Sequence, residues 1–145
     1  LAFEQFEKSN PDFIQAQGII CGAFTYGIKI SALKKVCQIK DSEKTEMMSV
    51  YFTDTGLFNV AELRGAPQHY YRDDIRMTLD YKEDLDFFKE VLNLLGKSAE
   101  YVRLDEILQI IDKNPHIKKI NYFRQKEFFE NQQAKSELRI KEIVK

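Results

Sequence analysis

The segment Ile75-Arg-Met-Thr-Leu-Asp80 decides the predicted fold, because it marks the junction between a strand and a helix. The composition of residues 75–79 predicts a buried strand. The acid that follows this strand stands at the opening of the next helix. Any chemistry in the chain is therefore expected to centre on Asp80.

Residues 81–95 carry the clearest helical pattern of the chain. Apolar side chains recur along it at intervals of three and four residues, as on the buried face of a helix. Gly96 follows as a stop signal. The predicted stripe consists of Leu85, Phe88, Leu92 and Leu95, with Phe87, Val91 and Leu94 beside it.

Two explanations for Asp80 stay open on the residues alone. As the N-cap of the helix it forms a capping-box pattern with Glu83, and such a cap contributes about 1 kcal/mol. As the first residue beyond a strand it stands where α/β sheets bind ligands, and a carboxylate there can coordinate Mg²⁺. Asp84 lies one helical turn further along and can face the same way.

The other predicted elements alternate between helices and strands, which indicates an α/β or α+β layer arrangement. The glycine spacing at 18, 22 and 27 suggests a chain that bends, either at turns and bulges or where a ligand approaches the backbone. Helices are predicted over 2–8, over 31–39, from 41 to a stop at Gly56, from 104 to a stop at Asn114, and over 124–145; strands are predicted over 13–20, 58–63 and 75–79.

Bulk composition excludes several classes of protein. A length of 145 residues indicates a single domain, and a net charge of −1 argues against general attraction to nucleic acid or to a membrane surface. The sequence has no apolar run near the roughly 20 residues that cross a bilayer. Its two cysteines belong to no metal or redox motif. We therefore expect a cytoplasmic protein without nucleic-acid or membrane partners.

The C-terminal tail has helical composition with apolar residues at its ends and a polar middle. A helix of this kind often reaches across to a second surface, so docking on a partner subunit is predicted, with a homodimer as the expected assembly. This divides the chain into an α/β part over 1–122 and a helical tail over 123–145.

Residues 76–88, RMTLDYKEDLDFF, resemble a motif near the end of the sugar-nucleotide cytidylyltransferases, particularly the spore-coat polysaccharide and acylneuraminate or Kdo type. That family carries an Arg-x-Thr-Val/Leu-Asp-x-x-Glu-Asp run at the same strand-to-helix junction. The glycine-rich stretch, the LKKV helix at 33–36, Thr45-Glu46 and the NYFR segment at 121–124 look similar as well. The resemblance spans nearly all of 1–130. It implies the C-terminal portion of a Rossmann-like nucleotide-diphospho-sugar transferase layer fold, with a C-terminal helical tail.

The resemblance also implies an activity and a set of site residues. The reaction would be attack of a sugar hydroxyl on the α-phosphate of CTP, giving a CMP-sugar for polysaccharide biosynthesis and releasing pyrophosphate. Asp80 would be a ligand of the Mg²⁺ cofactor and Asp84 a supporting acid of the same metal site. The residues expected to bind substrate are Arg76, Glu46, Gly22 and Tyr26.

The sequence departs from the family pattern at its beginning. The basic Gly/Arg/Lys-rich nucleotide loop is absent, and so is the earlier Asp that shares the metal. We therefore expect this chain alone to be inactive and the activity to belong to a longer protein. The alternative is a non-catalytic α/β interaction or dimerisation module that assembles through the tail.

Overall fold

The computed structural model describes residues 1–24, 26–43, 46–96 and 101–141. Within these ranges the chain is a mixed α/β protein with a small three-stranded sheet, flanking helices and a helix near its C-terminal end. The elements are α1 Ala2–Ser9, β1 Phe13–Gln15, β2 Gly27–Ile28, α2 Ile30–Ile39, α3 Ser49–Thr53, β3 Val60–Glu62, α4 Lys82–Leu95, α5 Leu104–Lys113 and α6 Gln125–Lys135, with short 3₁₀ turns at Gln68–Tyr70, Ile117–Ile120 and Tyr122–Arg124.

The sheet has the strand order β2-β1-β3. The central strand β1 runs antiparallel to β2 and parallel to β3, with Phe13 opposite both Ile28 and Val60. Phe13 and Ile14 are fully buried. Two consecutive buried apolar residues on one strand are expected for a strand that is covered on both faces.

The described residues fall into two compact units. One contains the sheet and comprises residues within 1–17, 25–68 and 129–145; we call it the sheet unit. The other comprises residues within 18–24 and 69–128 and contains α4 and α5; we call it the α4 unit. The division of the chain at 122/123 made from the sequence stays a prediction.

Each unit has its own apolar core. In the sheet unit the ring of Phe13 stacks on that of Phe52, with 4.6 Å between the ring centroids. The remaining buried members of this core are Ala32, Val36 and Tyr51. The core of the α4 unit consists of Ile20, Ile75, Phe87, Val91, Leu108, Ile111 and Ile117.

The helix α4 is confirmed, but its buried face differs from the predicted stripe. Phe87 and Val91 are the fully buried apolar residues, whereas Leu85 is 43% exposed. Asp84 is fully buried as well and stands three residues before Phe87. The inward face therefore begins with an acid, which rotates the buried stripe away from Leu85.

Helices are predicted better than strands. The helices α1, α2, α4 and α5 agree with the predicted ranges to within two residues, and each of the predictions at 13–20 and 58–63 contains only a three-residue strand. The strand predicted over 75–79 is wrong, because the segment forms a single β-bridge, in which Arg76 lies parallel to Cys21. A strand needs hydrogen-bonded neighbours along its length, and here one residue has them.

Two predicted helices are shorter in the structure. The helix expected from residue 41 begins only at Ser49. The tail helix ends at Lys135, and Ile140 then forms an antiparallel bridge with Lys40 of the sheet unit. Residues 142–145 lie outside the described residues. The far end of the described tail thus pairs within the chain, and docking on a partner subunit stays a prediction.

The helices that the structure describes include none that is both long enough and apolar enough to cross a membrane.

Candidate functional site at the start of α4

The extended segment before α4 is held in place by the apolar core and by a β-bridge. Ile75 belongs to the core of the α4 unit, and the next residue, Arg76, forms the bridge with Cys21. The backbone N–H of Met77 donates to the carbonyl oxygen of Cys21 at 2.7 Å. This anchoring sets the direction in which the chain reaches Asp80.

Arg76 and Asp84 form a buried ion pair. Nε of Arg76 donates to Oδ1 of Asp84 at 2.9 Å, and Nη2 donates to Oδ2 at 3.0 Å. Both side chains are fully buried. The pairing is bidentate, which is the strongest geometry between a guanidinium and a carboxylate.

The same carboxylate closes the first turn of α4. Oδ2 of Asp84 accepts hydrogen bonds from the backbone N–H groups of Asp80 at 2.9 Å and of Tyr81 at 3.0 Å. Helix α4 begins at Lys82 with Tyr81 as its N-cap residue. The prediction that Asp80 is the N-cap and Glu83 its capping-box partner is therefore wrong by one position. Glu83 instead accepts a hydrogen bond from Arg124 at 2.8 Å.

Asn121 completes this group of buried polar side chains. Its Nδ2 donates to Oδ1 of Asp84 at 2.9 Å and to the carbonyl oxygen of Arg76 at 3.1 Å. Arg76, Asp84 and Asn121 are all fully buried, and we call them the buried ion cluster. Asp84 thereby accepts five hydrogen bonds, so both of its oxygens are fully occupied within the protein.

The hydrogen bonds of the cluster determine the charge of Asp84. Burial by itself raises the pKa of Asp84, but the bonds from Arg76, the backbone of Asp80 and Asn121 outweigh it and hold this pKa below its ordinary value. Burial alone would lower the pKa of Arg76, and the bonds to Asp84 outweigh it in the other direction. Both groups are therefore charged at neutral pH.

The guanidinium of Arg76 lies against two aromatic rings, and its third nitrogen is hydrogen-bonded as well. Its guanidinium carbon lies 4.3 Å from the ring centroid of Phe128 and 5.3 Å from that of Tyr81. Nη1 donates to Oε1 of Gln125 at 3.3 Å. A guanidinium engaged in this way is a structural group, and its surroundings do not fit the substrate-binding role that the family resemblance implies for Arg76.

Asp80 differs from Asp84 in accessibility. Its Oδ2 accepts from Nη2 of Arg76 at 3.0 Å, and 46% of its side chain is exposed. Among the residues that the structure describes, none forms a hydrogen bond with Oδ1 of Asp80. The start of α4 thus presents one accessible carboxylate, held in place through a single oxygen.

The two predicted metal ligands fit Mg²⁺ differently. Mg²⁺ is usually held by one or two carboxylates, with water and substrate phosphates completing its octahedron. Asp80 fits as one such ligand through Oδ1. Asp84 does not fit, because both of its oxygens are taken by protein donors in a fully buried site. Within the described residues there is no group of three or more His, Cys, Asp or Glu side chains arranged to hold a metal.

Gly22 has a structural reason to be glycine. Its φ is +91°, and a Cβ at this position would lie 2.3 Å from the backbone oxygen of Met77. A side chain is therefore excluded both by backbone conformation and by the close approach of the segment that carries Arg76. The turns-and-bulges explanation of this glycine accounts for it without a ligand. Substrate binding at Gly22 stays a prediction.

The other two predicted substrate-binding residues belong to the sheet unit. The ring of Tyr26 is exposed and lies 5.0 Å from that of Phe13 between centroids. Glu46 lies in the wall of a cavity of about 900 Å³, and its carboxylate accepts from Nζ of Lys135 at 2.6 Å. Thr45 lies outside the described residues. Of the predicted site residues, the α4 unit therefore brings together Gly22, Arg76, Asp80 and Asp84.

Asn121 is the member of the buried ion cluster to which the sequence analysis assigned no role. It follows the short turn Ile117–Ile120, whose sequence is Ile-Lys-Lys-Ile, and lies 37 positions after Asp84. The two lysines before it give no local sign that this asparagine is buried, and its Oδ1 has no hydrogen-bond partner within the described residues. Its partners could not be identified from spacing.

The chain is 31% identical over 132 residues to the "Uncharacterized protein MJ1063" of Methanocaldococcus jannaschii, an alignment that covers 88% of this chain and 52% of that protein. The chain thus spans about half the length of the curated relative it matches. No protein-family model matches the chain, and no solved structure does.

Proposed function

We propose that this chain is the C-terminal part of a nucleotidyltransferase of the sugar-nucleotide cytidylyltransferase type, built on a Rossmann-like layer fold. The protein would transfer CMP from CTP to an acidic or cell-surface sugar in the cytoplasm, most simply as a homodimer. The observation that carries the proposal is Asp80, an accessible carboxylate held by a buried arginine between an extended segment and a helix N-terminus. Because the chain covers 52% of its relative, the activity is proposed for the longer protein.

The four charged residues of the Arg-x-Thr-Leu-Asp-x-x-Glu-Asp pattern have distinct tasks under this proposal. Asp84 fixes the first turn of α4 and neutralises Arg76. Arg76 in turn holds Oδ2 of Asp80, which leaves Oδ1 turned towards the substrate. Glu83 ties the start of α4 to Arg124 on the neighbouring turn. Asp80 is then the one member of the pattern that meets the substrate, and the others position it.

The proposed reaction transfers CMP from pyrophosphate to the sugar. The hydroxyl oxygen of the sugar bonds to the α-phosphorus of CTP and its proton passes to water, while the bond from that phosphorus to its bridging oxygen breaks and pyrophosphate leaves with the bonding electrons. A bound Mg²⁺ would neutralise the charge that develops on the phosphate oxygens. Asp80 is the residue of this chain that would hold the metal. The second carboxylate of the site would come from the remainder of the longer protein.

The test is Mg²⁺-dependent release of pyrophosphate from CTP by the full-length protein, with N-acetylneuraminate and 3-deoxy-D-manno-octulosonate as sugar acceptors. The Asp80→Ala variant should lose at least about 100-fold in turnover, the scale on which a single group that stabilises transition-state charge acts. Its free energy of unfolding should fall by less than about 1 kcal/mol, because the carboxylate that it removes is half exposed and the buried Arg76 keeps its ion pair with Asp84.

Asp86→Ala is the matched control, since Asp86 is a half-exposed acid on the same helix whose nearest basic partner, Lys89, lies 3.9 Å away. This control should keep both turnover and stability. Near-normal turnover in Asp80→Ala would reject the proposed role of Asp80, as would equal losses in the two variants.

A further inference from the structure

One glutamine side chain of the sheet unit pairs with the edge of the sheet. Nε2 of Gln5, on α1, donates to the carbonyl oxygen of Glu62 at 2.7 Å. Its Oε1 accepts from the backbone N–H of Arg64 at 3.0 Å. Both partners lie at or just beyond the end of β3, which is an edge strand in the order β2-β1-β3.

These two backbone groups point away from the sheet. The intervening residue, Leu63, donates its N–H inward to the carbonyl oxygen of Gln15 at 2.7 Å. In an extended chain the backbone groups of successive residues alternate between the two sides. The oxygen of Glu62 and the N–H of Arg64 are therefore the pair with which a further strand would bond.

A carboxamide carries one acceptor oxygen and an NH₂ donor, as a peptide group carries an oxygen and an N–H. The side chain of Gln5 therefore makes the two bonds that a residue of a neighbouring strand would otherwise make. We propose that Gln5 caps the outer edge of β3 and keeps this edge from pairing with a second copy of the chain. Unpaired strand edges are ready templates for such pairing.

The two backbone groups that Gln5 caps are self-complementary, so a second copy of the chain is the partner that the cap would keep out. In an antiparallel pairing centred on Leu63, the oxygen of Glu62 would face the N–H of Arg64 of a second copy, and the reverse bond would form by symmetry. The same register places the side chains of Glu62 and Arg64 of the two copies opposite each other. Opposite charges in that arrangement are attractive.

Amide hydrogen exchange on the full chain tests the cap. In Gln5→Ala the amide of Arg64 should exchange about 10-fold faster or more, because it loses its acceptor. The amide of Leu63, bonded to Gln15, should keep its exchange rate and so report that the sheet is intact. Light scattering should show a mass that rises with concentration above that of the parent protein.

Glu7→Ala is the control, because Glu7 is an exposed residue of the same helix. Its replacement by alanine changes the helix propensity by about as much as the replacement of Gln5 does. It should leave the exchange at Arg64 and the mass unchanged. Unchanged exchange at Arg64 in Gln5→Ala would overturn the cap. Faster exchange with the mass of the parent at every concentration would overturn its role against self-association.

Discussion

An Asp84→Asn variant is expected to lose about 3–5 kcal/mol of unfolding free energy, the usual cost of removing one partner of a buried ion pair. The guanidinium of Arg76 would remain fully buried, with the half-exposed carboxylate of Asp80 as its remaining charged partner. The new carboxamide has a single acceptor oxygen in place of two. The five donors that now meet Asp84 could therefore not all be satisfied.

Urea denaturation followed by circular dichroism measures this loss, with Asp86→Asn as the control on the same helix. The control removes an acid whose side chain is 44% exposed and should change stability by less than about 0.5 kcal/mol. A loss below about 1 kcal/mol in Asp84→Asn would mean that the ion pair is not buried as described. The buried pair would then no longer explain why Asp80 points outward.

An Arg76→Met variant is expected to lose a similar 3–5 kcal/mol at neutral pH, because it leaves the carboxylate of Asp84 buried without its guanidinium. Methionine keeps an unbranched apolar chain that can still pack against Phe128, so the loss of charge is the main change. The three remaining donors to Asp84 are neutral groups. They support a carboxylate less well than a bidentate guanidinium does.

The pH dependence of this loss follows from the lowered pKa of Asp84. A carboxyl group whose pKa is lower in the folded state than in the unfolded state stabilises the folded protein. This contribution is complete at a pH above the unfolded-state pKa, which is near 3.9 for Asp, and it is lost as the pH falls through the folded-state pKa. The variant lacks the guanidinium that lowers this pKa. The difference in stability between parent and variant should therefore shrink as the pH falls below about 4.

Urea unfolding of both proteins between pH 7 and pH 3 gives this difference directly. Arg139→Met is the control, because that arginine is 62% exposed and pairs with the exposed Glu137, so a change of less than about 1 kcal/mol is expected. A gap between parent and Arg76→Met that stays constant over the whole range would contradict the ionised state of Asp84.

The sequence places both acids at the junction before α4, but the structure gives them different surroundings, with Asp84 buried and Asp80 half exposed. Periodicity identified α4, and the acids at 80 and 84 were both placed at one site. Which acid turns inward depends on Arg76, whose burial a single sequence does not reveal, and on Asn121 far along the chain. One local signal was available, since Asp84 stands three residues before Phe87 and seven before Val91, in register with the buried face.

The predicted strand over 75–79 failed for a different physical reason. A strand is defined by its neighbours, and the backbone partner of this segment, near Cys21, comes from a turn-rich stretch more than fifty positions earlier. The local composition was right for an extended, partly buried chain, as the burial of Ile75 shows. The number of residues that find a partner is a property of the tertiary fold, which propensity does not encode.

The difference in role between Asp80 and Asp84 can be tested directly by a pH titration of the side-chain carboxyl ¹³C resonance of Asp84. Hydrogen bonds from Arg76, Asn121 and two backbone amides predict that the Asp84 carboxyl titrates below the ordinary aspartate pKa of about 3.9. A pKa at or above that value would contradict a structural, ion-paired Asp84. It would also remove the basis for the metal-ligand role proposed for Asp80.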